Sequence, residues 1–410
     1  MPRVMRIAYL TGRYPAMTPT FVLREVAELR ARGVEVETFS IWRTPETDLL
    51  APEDRAEADR TTSLLPPSPV AAARSMFAAL VRSPAGVSAL VAGAFRLARP
   101  GARGKLLALS WVLEALLLWG ELRRRGICHV HVHLMGTAPA VALLATDLAN
   151  RIDGDPRHTW SLTIHGPDEF YDAHNDALAE KVAAAEFAVC ISDFGRSQVM
   201  AFAERRHWPK VHVVHCGIDL ERTRRTTAPP PAEGRSVRML TVCKLSPRKG
   251  VEMLLQATRE LADVEFMVVG DGPHRQELEQ LCDELGIGDR VSFAGAVGQD
   301  RIGEFYEAAD LFAMASFAEG IPVVLMEAMA YELPVVAPAT MGVPELVEPD
   351  RTGLLFRPGR ADELSEAVGR LAGDAELRQR LGAAGREKVA AEFDIRDSAA
   401  RLQELFEAGA

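Results

Sequence analysis

LFAMASFAEGIPVVLMEAMAYELPVVAPA, residues Leu311 to Ala339, decides how this chain folds. A short apolar run, LFAMAS, leads into a helical stretch, PVVLMEAMAYEL, and then into a second apolar run, LPVVAPA. Runs this continuous suit parallel strands buried on both faces, and a helix between two of them implies a right-handed crossover. Pro322 suits the first helical position, and Pro334 stops the helix. Into this apolar segment the sequence sets two carboxylates, Glu319 and Glu327. Glu319 falls on the loop after the first strand, and Glu327 sits about one and a half turns into the helix. Ile321 has no side-chain oxygen to cap the helix, so the backbone around Gly320, Ile321, Pro322, Val323 and Val324 offers uncapped N–H groups. Such a start is a ready phosphate site, and Gly320 lets a ligand approach the chain closely. A carboxylate at Glu327 suits a pair of sugar hydroxyls beside that phosphate. The plainer reading leaves Glu319 solvated and Glu327 paired with a cation.

The same alternation runs almost from end to end. MRIAYLT, VEVETFSI, ICHVHVHL, HTWSLTIH, FAVCIS and KVHVVHCGI are strand candidates in the first half. VRMLTVCKL, VEFMVVGDG, RVSFAGA, LFAMAS, LPVVAPA and GLLFRP are the candidates in the second. Thr18 can cap the first crossover helix, Pro19 opens it and Gly33 closes it. TRRTTAPPPAEGRS, Thr223 to Ser236, reads as a linker. The expected organisation is therefore an α/β chain of two doubly wound, Rossmann-like parallel-sheet domains, 1–222 and 237–390, with 391–410 as a closing helix. Ligands of such sheets bind beyond the carboxyl ends of the strands, which places the expected site in a cleft between the domains.

With 410 residues the chain suits two domains, and its formal charge of −10 argues against nucleic acid as a partner. Five scattered cysteines form no C-x-x-C pair, which suits buried thiols in a reducing cytosol. The opening MPRVMRIAYLTGRYP enters a strand at once and lacks the pattern of a signal peptide, so the expected location is cytoplasmic. One region breaks the rhythm. From Ala71 to Gly126 nine basic residues face two acidic ones, a charge of +7. Ser110, Glu114, Glu121 and Arg125 form one narrow helical stripe there, and leucines and tryptophans cover the rest. This segment reads as a helical insertion packed on its own domain, or else as a basic, apolar surface in peripheral contact with the inner face of an anionic membrane.

Other candidates fall after strands. CKLSPRKG supplies Lys244, Arg248 and Lys249 on the first loop of the second half. Opposite the uncapped helix start, these cations would neutralise a diphosphate from two sides. VVGDGPHRQEL sets Gly270 and Gly272 in a tight turn at the same edge. Neither G-x-G-x-x-G nor a Walker sequence is present, so hydride transfer and ATP hydrolysis have no motif support. TIHGPDEF puts His165 at a strand end, with Gly166 and Asp168 after it. HVHVH places His129, His131 and His133 on one strand face, where three imidazoles either bind a metal or, as expected here, pack against a helix.

Together these stretches resemble the retaining GT-B glycosyltransferases of family four, and the opening YPAMTPTFVLREVAELRARGVEV resembles bacterial exopolysaccharide biosynthesis enzymes. EGIPVVLMEAMAYELPVVAPATMGVPELVEPDRTGLLFRPG contains the family's E-x7-E as Glu319 and Glu327. The resemblance implies sugar transfer from a nucleotide diphosphate sugar to a sugar or lipid-linked acceptor, with anomeric configuration retained. Lys244, where the family usually has arginine, and Lys249 would hold the diphosphate. Glu327 would bind the ribose, while Glu319 and His165 would contact the transferred sugar. Gly12 would lie near donor and acceptor, with Asp168 on the neighbouring loop, and the base of a UDP or GDP donor would sit against the backbone near Gly295 and Val297. FDIRDSAARLQELF resembles the terminal helix that crosses back to the first domain. No D-x-D sequence stands where a metal-dependent enzyme needs one, so no metal and no cofactor are expected. A nucleotide-sugar epimerase and a non-catalytic sugar-binding relative are the alternative readings.

Overall fold

The computed structural model describes residues 5–16, 20–133, 136–227 and 235–409. They divide into two units, residues 1–214 with 399–410, and residues 215–398.

The first unit is built on a parallel sheet of seven strands: β1 (Arg6–Arg13), β2 (Glu35–Trp42), β3 (Thr62–Leu65), β4 (His129–His133), β5 (Thr159–Ile164), β6 (Ala188–Cys190) and β7 (Val211–Val213). Their order is β3-β2-β1-β4-β5-β6-β7. Winding therefore reverses between β1 and β4, and the carboxyl ends of these two strands form the switch point of the sheet. The two-residue period of each strand splits the core in two. Ala8, Leu10, Val130 and Val132 face one cluster with Trp111 and Trp119, while Ile7 and Tyr9 face another with Val22, Val26 and Phe406. Phe406 belongs to the terminal helix Ile395–Ala408, whose residues from Ala399 onward count with the first unit.

The second unit holds β8 (Val237–Val242), β9 (Val264–Val269), β10 (Val291–Gly295), β11 (Leu311–Ala313), β12 (Val335–Pro338) and β13 (Leu354–Phe356). The order β10-β9-β8-β11-β12-β13 puts its switch point between β8 and β11.

Every strand expected from the sequence forms, and one more, β3, joins the outer edge beside β2. Thr-Ser-Leu-Leu is too short and too polar at its start to stand out from its surroundings, and pairing with β2 makes it a strand. The unit boundary at Val214 precedes the expected end at 222. Residues just after it are bound to the second unit: Ile218 bridges to Asp394, and the Arg225 guanidinium donates to the carbonyls of Tyr331, Glu307 and Ala309. Arg235 at the far side of the proline run pairs with Asp310 at 2.7 Å. The proline run itself and the Thr18–Pro19 cap lie outside the described residues.

The basic segment forms three helices, Pro69–Arg82, Pro84–Leu97 and Ala102–Arg125. Its packing reading holds in part, since Trp111, Leu116, Leu118 and Trp119 enter the core. The polar stripe turns inward. Glu114 is 2% exposed, and Arg125 reaches Glu37 at 2.6 Å, donates to the Thr62 hydroxyl at 2.6 Å and covers the Phe39 ring. Among the described residues no single helix is long and apolar enough to cross a membrane.

Candidate functional site

In the second unit β8 ends at Val242, and the chain passes through Lys244 into a tight turn, Pro247–Lys249. Gly250 follows with φ of 59°, and a Cβ there would lie 2.4 Å from the Ala315 carbonyl oxygen. Glycine thus lets the loop after β8 close on the loop after β11. Phe317 N–H donates to the Arg248 carbonyl at 2.9 Å, and Lys249 Nζ meets Glu319 Oε1 at 2.5 Å. Glu319 is therefore neither solvated nor buried alone. It is paired at the switch point, with 14% of its side chain exposed. Lys244 is exposed, and among the described residues it makes no ion pair.

Beyond Glu319 the helix runs from Val323 to Ala330. Pro322 stands one position earlier than expected: it is the cap residue, with extended backbone, and not the first helical residue. No side chain caps this start. Leu325 and Met326 N–H both turn back to the Pro322 carbonyl, so the N–H groups of Val323 and Val324 are the ones the helix cannot satisfy itself. Gly320 and Ile321 are buried beside them. The helix ends at Ala330, before Pro334, because Glu332 turns to φ of 58° and breaks the helical path. Glu327 is 4% exposed and accepts from the Tyr306 hydroxyl at 2.9 Å. That phenol comes from a separate helix, and nothing in the local sequence marks Tyr306 for this role.

The loops after β9 and β10 join the same edge. Leu245 N–H donates to Asp271 O at 3.0 Å, and Gly270 N–H donates to Gly295 O at 2.8 Å. Gly270 has φ of 128°, and a Cβ on it would fall 1.8 Å from the Cys243 carbonyl oxygen. Lys244 and Gly270 are thereby held in adjoining loops against Gly295, the last residue of β10, with Val297 half-buried two residues further on.

In the first unit Gly12 is exposed at the carboxyl end of β1; it is the penultimate residue of that strand and not part of the following loop. His165 directly follows β5, and Asp168 is exposed in the turn Pro167–Glu169. Glu169, which the sequence reading passed over, fastens this loop. Its Oε2 accepts the N–H groups of His165 at 2.8 Å and Gly166 at 2.6 Å. A carboxylate three residues after a glycine at a turn start is the signal that could have found it.

The His165 ring stacks on Phe21 at 4.3 Å, and its Nε2 lies 2.9 Å from His133 Nδ1. His133 Nε2 lies 2.9 Å from Glu25 Oε1, which also accepts from the Tyr9 hydroxyl at 2.7 Å. An ionised Glu25 requires His133 to donate through Nε2, which leaves His133 Nδ1 to accept the proton-bearing Nε2 of His165. His165 then keeps Nδ1 as its acceptor. Burial, and next the neighbouring His133, hold the His165 pKa well below the usual imidazole range, so the ring is neutral. The other two histidines pack as expected. His129 spans Thr159 and Ser161, His131 spans Ser161 and Thr163, and Phe406 of the terminal helix lies edge-on to both. Glu25, His131 and His133 lie close enough to share a metal ion. Each of their ring nitrogens is already engaged with a hydroxyl, an imidazole or the carboxylate, an arrangement that serves hydrogen bonding.

Residues 225–388 match the family described as glycosyl transferases group 1. An alpha-D-kanosaminyltransferase of Streptomyces kanamyceticus is 28% identical over 77% of this chain and 84% of its own length. The amylovoran biosynthesis glycosyltransferase AmsK of Erwinia amylovora is 26% identical over 98% of this chain and 99% of its own. Among solved structures, Anabaena Alr3699/HepE in complex with UDP-glucose superposes with a TM-score of 0.73, covering 98% of this chain and 100% of that one at 18% identity. That likeness is one of fold, and the fold is GT-B. The segment similar to the group 1 glycosyl transferases, residues 225–388, is the one that carries Lys244, Lys249, Glu319 and Glu327.

Proposed function

We propose that this chain transfers a sugar from a nucleoside diphosphate sugar to an acceptor hydroxyl with retention of anomeric configuration and without a metal. The acceptor is a sugar or a lipid-linked sugar, and the product belongs to a cell-surface polysaccharide or glycolipid, as the likeness to an amylovoran enzyme suggests. The observation that carries this reading is the cluster at the β8–β11 switch point, where Lys249 meets Glu319 just before an uncapped helix start. A departing diphosphate needs cations and amide donors. Lys244, Lys249 and the N–H groups at Val323 and Val324 supply them. Glu327 binds the ribose, Glu319 the transferred sugar, and the base lies along Gly270, Gly295 and Val297. On the first unit, His165 contacts the transferred sugar, with Gly12 and Asp168 on the substrate loops.

Calorimetric titration of UDP and of GDP into the wild type, Glu327→Ala and Glu319→Ala tests this assignment. One nucleotide should bind, Glu327→Ala should lose that binding, and Glu319→Ala should keep it while losing transfer. Unchanged turnover in Glu319→Ala refutes its role, and loss of transfer in EDTA refutes metal independence.

A further inference from the structure

The helix Pro69–Arg82 is packed inside out. Its buried positions are Ser75 and Ala79, whereas Val70, Phe77 and Val81 stand 75%, 71% and 65% exposed. Single exposed apolar residues are ordinary on any surface, but here they are concentrated. Of the twelve large hydrophobic residues exposed in the described chain, eight fall between Val70 and Leu109. Leu106 and Leu109, at the start of the helix Ala102–Arg125, are 69% and 53% exposed.

Charge accompanies this apolar surface. A pocket of about 360 Å³ lies between the two helices, with Arg74 and Ser75 on one wall and Gly120, Arg123 and Arg124 on the other. Arg124 is paired with Glu121, but among the described residues Arg74 and Arg123 form no ion pair. Arg74 lies four positions after Val70 and three before Phe77, so by helical geometry it rises from the same face as the apolar arc. The surrounding segment, Ala71 to Gly126, carries +7 in a chain of −10 overall.

We propose that this face lies on an anionic bilayer, with the phosphate of a phospholipid headgroup held between Arg74 and Arg123 and the Val70–Phe77–Val81 arc resting at the acyl boundary. Two unpaired guanidinium groups suit a phosphate, and an amphipathic helix with cations beside its apolar arc lies in the plane of an interface. A second copy of the chain is a poorer occupant, because self-association would bring two faces that each carry the unpaired Arg74 and Arg123 together. The inference is independent of the donor assignment above, since no residue of that cluster takes part.

Cosedimentation of the full chain with phosphatidylcholine vesicles, with and without about 30% phosphatidylglycerol, is the test. The chain should pellet with the anionic vesicles and stay in solution with the neutral ones. Arg74→Ala/Arg123→Ala should weaken partition about tenfold or more, because each cation near the surface contributes about a factor of five. Phe77→Ser/Leu106→Ser should weaken it at unchanged charge, and these exposed positions leave the core intact, which circular dichroism checks. A wild type that ignores anionic vesicles overturns the proposal, as do two double variants that pellet like the wild type. So does a concentration-dependent dimer that Phe77→Ser/Leu106→Ser dissociates, since a second copy would then occupy the face.

Discussion

Replacing Glu114 by glutamine should stabilise the first unit at alkaline pH and do little at acid pH. Glu114 is 2% exposed, and its Oε2 has no hydrogen-bond partner among the described residues. Burial pushes its pKa from 4.5 up to about 7, against a smaller opposing effect of a hydrogen bond with Ser110. An unfolded chain releases the proton near pH 4.5, while the folded chain holds it to about 7. Between those values the folded state binds more protons, so stability falls as pH rises through the window and stays low above it. At about 1.4 kcal/mol per pH unit the loss is roughly 3 kcal/mol. Glutamine stays neutral throughout. Glu114→Gln should therefore match the wild type near pH 4.5 and exceed it by about 2–3 kcal/mol near pH 8, the lower figure allowing for the unpartnered amide N–H. Urea unfolding followed by tryptophan fluorescence reads the right part of the molecule. All five tryptophans (Trp42, Trp111, Trp119, Trp160 and Trp208) lie in the first unit. Burial also lowers the His129 pKa to about 4, which removes stability as pH falls below 6.5. That contribution is common to both proteins and cancels in the difference. A difference that stays flat from about pH 4.5 to pH 8 would show that Glu114 is not held protonated, and the reasoning would fail.

Gly270→Ala should destabilise the second unit by about 3 kcal/mol or more, because the added Cβ meets the Cys243 backbone and φ is positive; a melting curve like the wild type's would contradict the packing of these loops. Glu25→Gln removes the carboxylate that fixes the His133 tautomer, so the His133–His165 hydrogen bond is free to reverse. If His165 acts as proposed, kcat should fall with little change in nucleotide affinity, and the 15N shifts of the His165 ring should report a changed tautomer. Identical shifts in wild type and variant would dispose of the relay.

Twelve of the thirteen strands among the described residues were legible because buried parallel strands need runs of Val, Ile, Leu and Ala that few other structures tolerate. The edge strand β3 was not, since its pairing with β2 rather than its own residues makes it a strand. Helix ends were misread by a few positions at Pro322 and at Ala330, where a local change of backbone angle decides the boundary. At the candidate site the loop residues that follow strands could be found by position alone. Lys249, Glu319 and His165 belong to that group. Their partners could not. Tyr306 reaches Glu327 across 21 positions and Glu25 reaches His133 across 108, and no local pattern encodes such contacts.

The ladder of imidazoles and hydroxyls between β4 and β5 also bears on how the sheet finds its alignment. Opposite pairs in this parallel couple are His129 with Thr159, His131 with Ser161 and His133 with Thr163. On the other face the same strands offer Val130, Val132, Trp160 and Leu162, which would accept many apolar neighbours. A slip of one residue would turn Trp160 and Leu162 toward the rings of His129 and His131 and strand four ring nitrogens in a dry interior. The apolar face drives these two strands together, and the polar face permits them to meet in only one way.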